Sequence, residues 1–262
     1  MMIDLKGRRA IVCGGSQGIG RACAEAMARA GAAVTLVARN AEALEAARAE
    51  LATDAGQRHD TLCADFSDPE GLHRAVAACL ERTGPVHILL NNTGGPPSGP
   101  LVDAAADAIV DAISKHVICY QHLMQAVVPG MTALGYGRII NIISTSVVAP
   151  IRGLGVSNTT RGAVANWGRT LAGELGPLGI TVNNILPGYT DTERLGGLIR
   201  KKADRTGATP EQVIERMKVD IPLGRFAEPA EIGQVAAFLA SPAASYINGV
   251  NLPVDGGRTA WQ

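Results

Sequence analysis

Residues 10 to 20 read Ala10-Ile11-Val12-Cys13-Gly14-Gly15-Ser16-Gln17-Gly18-Ile19-Gly20. A short apolar run stops at a cluster of glycines, and alanine-rich sequence of helical period follows over 19–30. The order strand, turn, helix gives the glycines a physical purpose. Glycine allows a tight turn and lets a ligand's phosphates approach the backbone, while the helix start offers unpaired N–H groups at the positive end of its dipole. The stretch therefore predicts a dinucleotide pyrophosphate lying on Gly14, Ser16, Gln17, Gly18, Ile19 and Gly20.

On either side of this stretch, short aliphatic runs alternate with longer alanine-rich segments. Strands are expected at 10–13, 33–38, 59–63, 87–91, 138–144, 181–186 and 251–253. Helices are expected at 19–30, 41–52, 69–83, 104–133, 156–176 and 229–240. Such alternation is the mark of βαβ units and a parallel sheet buried on both faces. The fold class is thus α/β, a doubly wound parallel sheet of the Rossmann type, in one domain over 1–262. The rhythm breaks only at 189–222, where charged helical segments at 193–202 and 210–219 follow the end of a strand. Ligands of open parallel sheets sit beyond the carboxyl ends of the strands, so this insertion is expected to be a small substrate lid.

The second strand ends in Val37-Ala38-Arg39-Asn40, about 20 residues past the glycine turn, where an NAD site places a carboxylate for the ribose hydroxyls. Here the position carries a guanidinium. Arg39, with Ser16 and Asn40 near it, suits a 2′-phosphate, and NADP(H) is preferred with NAD(H) as the alternative.

Composition excludes several other partners. Apolar residues are 47% and charged residues 18% of the 262, which is enough for a substantial core. Twenty-four basic residues balance 24 acidic ones, so nothing electrostatic favours nucleic acid or an anionic membrane surface. Five cysteines without a CxxC pair, and histidines without ligand spacing, imply no metal and no disulfide framework. The N-terminus reads as no cleavable leader and no run is long enough to span a bilayer, so a reducing cytoplasmic setting is expected.

Six ordered motifs make the chain resemble the short-chain dehydrogenase/reductase family over essentially its whole length. The glycine turn is similar to TGxxxGIG with Cys13 in place of threonine, and Asp65 in Ala64-Asp65-Phe66 resembles the adenine-contacting acid. Asn91-Asn92-Thr93-Gly94 resembles the NNAG turn, and Asn141-Ile142-Ile143-Ser144 the strand bearing the active-site serine. Pro187-Gly188-Tyr189-Thr190-Asp191-Thr192 resembles the nicotinamide loop PGxxxT, and Val254-Asp255-Gly256-Gly257 the terminal VDGG. The resemblance implies cofactor contacts at Asp65, Phe66, Asn91, Thr93, Gly94, Arg161, Pro187, Gly188 and Thr190. It also implies hydride transfer between nicotinamide and a small carbonyl or alcohol, in a homotetramer packed through 104–133 and 156–176. The alanine-rich stretches Ala104-Ala105-Ala106 and Ala163-Val164-Ala165 are compatible with such packing.

The family handles the proton with an Asn, Ser, Tyr, Lys set. Ser144 fits the serine and His116 falls in the place of the asparagine, but the YxxxK motif has become Ser157-Asn158-Thr159-Thr160-Arg161. A phenol of pKa about 10 can be drawn towards neutrality by a lysine cation, whereas an aliphatic alcohol is far too weak an acid. Arg161 keeps its proton and can position a ribose hydroxyl or a substrate carboxylate. The expected catalytic set is Ser144 and Ser157 polarising the oxygen, Arg161 positioning, and either His116 or the substrate-side Tyr189 giving the proton. The alternative is a cofactor-binding pseudoenzyme or partner subunit. A non-redox enzyme is disfavoured, since it has no use for a pyrophosphate cradle.

Overall fold

The computed structural model describes residues 3–261. One sheet contains every strand: β1 (Arg9–Cys13), β2 (Ala33–Ala38), β3 (Asp60–Cys63), β4 (Ile88–Asn91), β5 (Gly137–Ile142), β6 (Ile180–Pro187) and β7 (Asn251–Val254). Their spatial order is β3-β2-β1-β4-β5-β6-β7, and every pairing is parallel. The order reverses between β1 and β4, which places the ligand crevice beyond the carboxyl ends of those two strands.

Side chains alternate between the faces of each strand and so build two separate cores. Ala10 and Val12 point to one face, where α1 (Gly18–Arg29), α2 (Ala41–Ala49) and α9 (Pro229–Ala240) bury residues such as Met27, Leu44 and Leu239. Ile11 and Cys13 point to the other, where α3 (Pro69–Thr83), α5 (Cys119–Leu134) and α6 (Gly155–Leu175) bury Leu72, Leu123 and Val164. Val164 and Ala165 therefore belong to the protomer's own core, which removes them from the subunit contact expected of them, whereas Ala105 and Ala106 are exposed.

Four asparagines cross the second core in register. Asn91 Nδ2 donates to Asn141 Oδ1, Asn141 Nδ2 to Asn184 Oδ1, and Asn184 Nδ2 to Asn251 Oδ1, each at 2.8 Å. The ladder ties β4 to β7 through side chains as well as backbone.

The helix expected over 104–133 is not continuous. A 3₁₀ turn (Leu101–Asp103) leads to α4 (Ala106–Ile113), a π turn (Ser114–Ile118) and then α5. No glycine or proline marks the break in sequence, and its effect is to widen the helix around His116, as π turns do near functional sites.

The insertion expected over 189–222 runs on to residue 227. Helix α7 (Glu193–Thr206) ends at Gly207, whose φ of +64° favours glycine, and α8 (Pro210–Val219) starts in a capping box of Thr209 and Gln212. Leu195, Ile199, Ala203, Val213 and Met217 give the lid its own small core. At its neck Ala227 N donates to Tyr189 O at 2.9 Å and Asp191 N donates to Ala227 O at 2.8 Å, so the insertion closes at residue 227. No helix of the described residues is long and apolar enough to cross a membrane.

Candidate active site

A groove of about 840 Å³ opens where the strand order reverses. Gly14, Ser16, Gln17, Gly18 and Ile19 line it from the glycine turn, Arg39 and Asn40 from the end of β2, and Asp65, Phe66, Thr93 and Gly94 from the ends of β3 and β4. Helices α2, α3, α7 and α8 each close their first turn with a side chain of their own, from Asn40, Asp68, Thr192 and Thr209. Helix α1 does not: Gln17 makes no cap and no acid lies in the first turn. Its free N–H groups and dipole are therefore available to a pyrophosphate, and the chain fits a dinucleotide on that ground.

Two glycines here differ in role. Gly14 has φ +62°, and a Cβ on it would press on the Asn92 side chain. Gly20 does not line the groove, contrary to expectation. A Cβ there would run into the Gly14 carbonyl oxygen, so this glycine serves close packing of α1 on the turn rather than ligand contact. A second correction concerns Asn91, which is completely buried in the asparagine ladder. Its neighbour Asn92 lines the groove instead, donating from Nδ2 to Cys13 O at 3.3 Å and so joining the β4 turn to the glycine turn.

At the adenine end, Arg39 is exposed and forms no ion pair among the described residues. The Ser67 backbone N–H, 2.9 Å from Asp65 Oδ1, holds that carboxyl below its ordinary range, with the Ser67 hydroxyl and then Arg39 adding to the effect. Lys115 also lines the groove, although it pairs with Asp111 at 2.8 Å.

The groove continues through Ile19, Asn92, Thr93, Gly95, Thr192 and Arg194 into a chamber of about 170 Å³. Ser144, Ser157, Arg161, Pro187, Gly188, Tyr189, Thr190 and Arg258 are among its walls. Ser144 follows β5, and its Oγ accepts from Ser146 N at 3.1 Å, which turns the chain after the strand. Asn158 on α6 clasps the loop beyond: its Nδ2 donates to Ile151 O at 3.0 Å and its Oδ1 accepts from Ile151 N at 3.3 Å. That clasp fixes Ser157 on the chamber wall.

Arg161, one turn further, is buried, with Nη1 donating to Ile142 O at 2.9 Å and Nε unpartnered. Tyr120 lies beside it on the core side, fully buried, its hydroxyl outside hydrogen-bond geometry and its pKa pushed up by burial. His116 lines the cofactor groove rather than the chamber and is 1% exposed. Burial, and then the positive charges of Arg161 and Arg194, push its pKa down to about 2. This direction favours the neutral imidazole and weighs against His116 as the proton donor. Tyr189 lines the chamber with its ring edge against Phe226 at 6.0 Å and the Arg258 guanidinium 4.7 Å above its face.

Known proteins resemble this chain along essentially its whole length. The family model described as enoyl-(acyl carrier protein) reductase matches residues 14–259. The gluconate 5-dehydrogenase of Gluconobacter oxydans is 34% identical over 258 residues, covering 98% of this chain and 97% of that one. The 3-oxoacyl-(acyl-carrier-protein) reductase of Pseudomonas aeruginosa is 34% identical over 257 residues, covering 97% and 98%. The crystal structure of L-sorbose reductase from Gluconobacter frateurii, complexed with NADPH and L-sorbose, matches with a TM-score of 0.93 and 31% identity over all of both chains. The chain belongs to the short-chain dehydrogenase/reductase family.

Two positions depart from the motif on which the resemblance rests. The position of the tyrosine holds the Ser157 hydroxyl, the position of the lysine holds the Arg161 guanidinium, and the nearest buried phenol, Tyr120, faces the core. Sequence reasoning missed Asn92, Lys115, Arg194 and Arg258. For Arg258 a signal existed, a guanidinium directly after the VDGG motif.

Proposed function

We propose that the protein is an NADP(H)-dependent oxidoreductase acting on a small carbonyl or alcohol, with a proton-handling site unlike the tyrosine and lysine pair of its family. The observation that carries this reading is the continuity of the uncapped α1 start with a chamber walled by Ser144, Ser157 and Arg161. Bound NADP(H) supplies or accepts the hydride. Arg39 would fork onto the 2′-phosphate, Arg161 would hold the nicotinamide ribose, and Pro187, Gly188 and Thr190, on the chamber wall, would face the nicotinamide. Ser144 and Ser157 would hydrogen-bond the substrate oxygen. With His116 neutral, Tyr189 is the chamber's phenol and the proton candidate. NADPH in the L-sorbose reductase structure supports the coenzyme, and NAD(H) is the alternative on the same turn.

Fluorescence titration with NADPH and NADH, followed by absorbance assays over ketones, aldehydes and keto acids, tests the reading. Saturable NADPH binding with turnover is expected. Binding without turnover on any member would favour a cofactor-binding pseudoenzyme or partner subunit, the reading that the absent phenol and amine support. A homotetramer is also proposed, on the exposed apolar side chains of Val102, Val110, Ile118 and Val148, and sedimentation velocity checks it.

A further inference from the structure

We propose that the chamber takes a molecule carrying an anionic oxygen group, a carboxylate or a phosphate, near its reacting carbon, and that Arg258 binds that group. The proposal deepens the oxidoreductase reading above and rests on it for the identity of the chamber. Arg161, Arg194 and Arg258 all line the chamber, and no aspartate or glutamate does. None of the three forms an ion pair among the described residues. Each instead gives one nitrogen to a neutral oxygen: Arg161 to Ile142 O at 2.9 Å, Arg194 to Gly95 O at 3.1 Å and Arg258 to Thr145 Oγ1 at 3.3 Å.

Donors remain unused. The Nε atoms of Arg161 and Arg258 are both buried without a partner, and Arg161 as a whole is 7% exposed. A buried guanidinium lacking an anion is unfavourable, and like charges converging on one cavity add to the cost. An oxyanion accepting from such forks offsets both, with charge-assisted hydrogen bonds of defined direction.

The three cations divide by position. Arg194 also lines the cofactor groove, where the phosphates of a dinucleotide compete for it, and Arg161 stands where the nicotinamide ribose is expected. Arg258 lines the chamber alone, held by Thr145 and by the Tyr189 ring face, so its remaining donors are left for substrate. Ile151, Leu154, Leu195 and Leu198 add apolar wall between the polar groups, which suits a short hydrocarbon body behind the charged head.

The test uses the full chain saturated with NADP⁺ and calorimetric titration of matched pairs: acetoacetate against acetoacetamide, and hydroxyacetone phosphate against hydroxyacetone. At least one anion is expected to bind ten-fold or more tightly than its neutral twin. Arg258→Gln is expected to abolish that difference, and Arg258→Lys to retain part of it. Equal affinity within both pairs overturns the proposal, and so does an anion preference that survives Arg258→Gln. If Arg258→Gln fails to fold, the wild-type pairs decide alone. Tight anion binding in this titration, with no NADPH oxidation across the carbonyl panel of the absorbance assay, sinks the oxidoreductase reading and leaves the anion site standing. Turnover with equal affinity for charged and neutral twins does the reverse.

Discussion

Ser157 and Arg161 are four residues apart on α6, the spacing at which two side chains share a helix face, and both reach the chamber. If the missing phenol limits proton transfer, Ser157→Tyr with Arg161→Lys should raise kcat for a simple ketone by about 10², the lower end of what general acids contribute. NADPH absorbance follows the change, and an unchanged rate would show that position 157 does not face the reacting oxygen. His116 makes a second prediction at this scale. Its pKa falls from the ordinary 6.5 to about 2, chiefly through burial. Between those values the unfolded chain binds the proton and the folded chain does not, so stability declines as pH falls from 6.5, by at most about 1.4 kcal/mol per unit. The urea midpoint of the wild type should therefore drop more steeply between pH 6.5 and 5 than that of His116→Asn, and parallel slopes would assign the acid sensitivity to other groups.

At the scale of elements, the glycine turn and the asparagine ladder hold the site to the sheet. Gly20→Ala sets a methyl against the Gly14 carbonyl oxygen, which neither backbone can yield. It should cost about 1–3 kcal/mol, as overpacking does, and weaken NADPH binding at least ten-fold by fluorescence titration. Asn141→Ala strands the Asn91 amide and the Asn184 carbonyl oxygen in the core. At about 1–3 kcal/mol for each orphaned group, the unfolding free energy from urea titration should fall by roughly 2 kcal/mol or more without a comparable loss in NADPH affinity. The strands themselves were legible because a sheet buried on both faces needs continuous aliphatic runs, and 33–38 matches β2 to the residue. The ladder was not, since an asparagine in a strand looks like a turn residue until its neighbours are known. Asn91 was read as a ligand contact for a related reason: a motif gives position along the chain, and the pleat decides that residue 91 faces inward while 92 turns to the groove. The π turn at His116 has no local signal, since no glycine or proline interrupts 114–118.

For the molecule as a whole, stability is unevenly distributed, and the site lies where it changes. The sheet is sandwiched between two extensive cores, whereas the lid encloses a small cluster around Ile199 and Val213 and joins the sheet at the Tyr189–Ala227 neck. A unit with few buried apolar groups opens at lower free energy than the domain that carries it. The lid therefore should unfold or swing locally while the sheet stays intact, giving substrate a route past Leu195 and Leu198 into the chamber. Lys201, Lys202 and Arg205 are exposed on α7 and report such opening directly. Limited trypsin digestion read by mass spectrometry should cut first after one of these three residues. Because Thr192 and Arg194 at the start of the lid also wall the cofactor groove, NADPH should slow those cuts in proportion to its occupancy. First cleavage in α1 or α3 would place the weak unit in the sheet's own layers, and lid cuts indifferent to NADPH would mean that coenzyme and lid are not coupled.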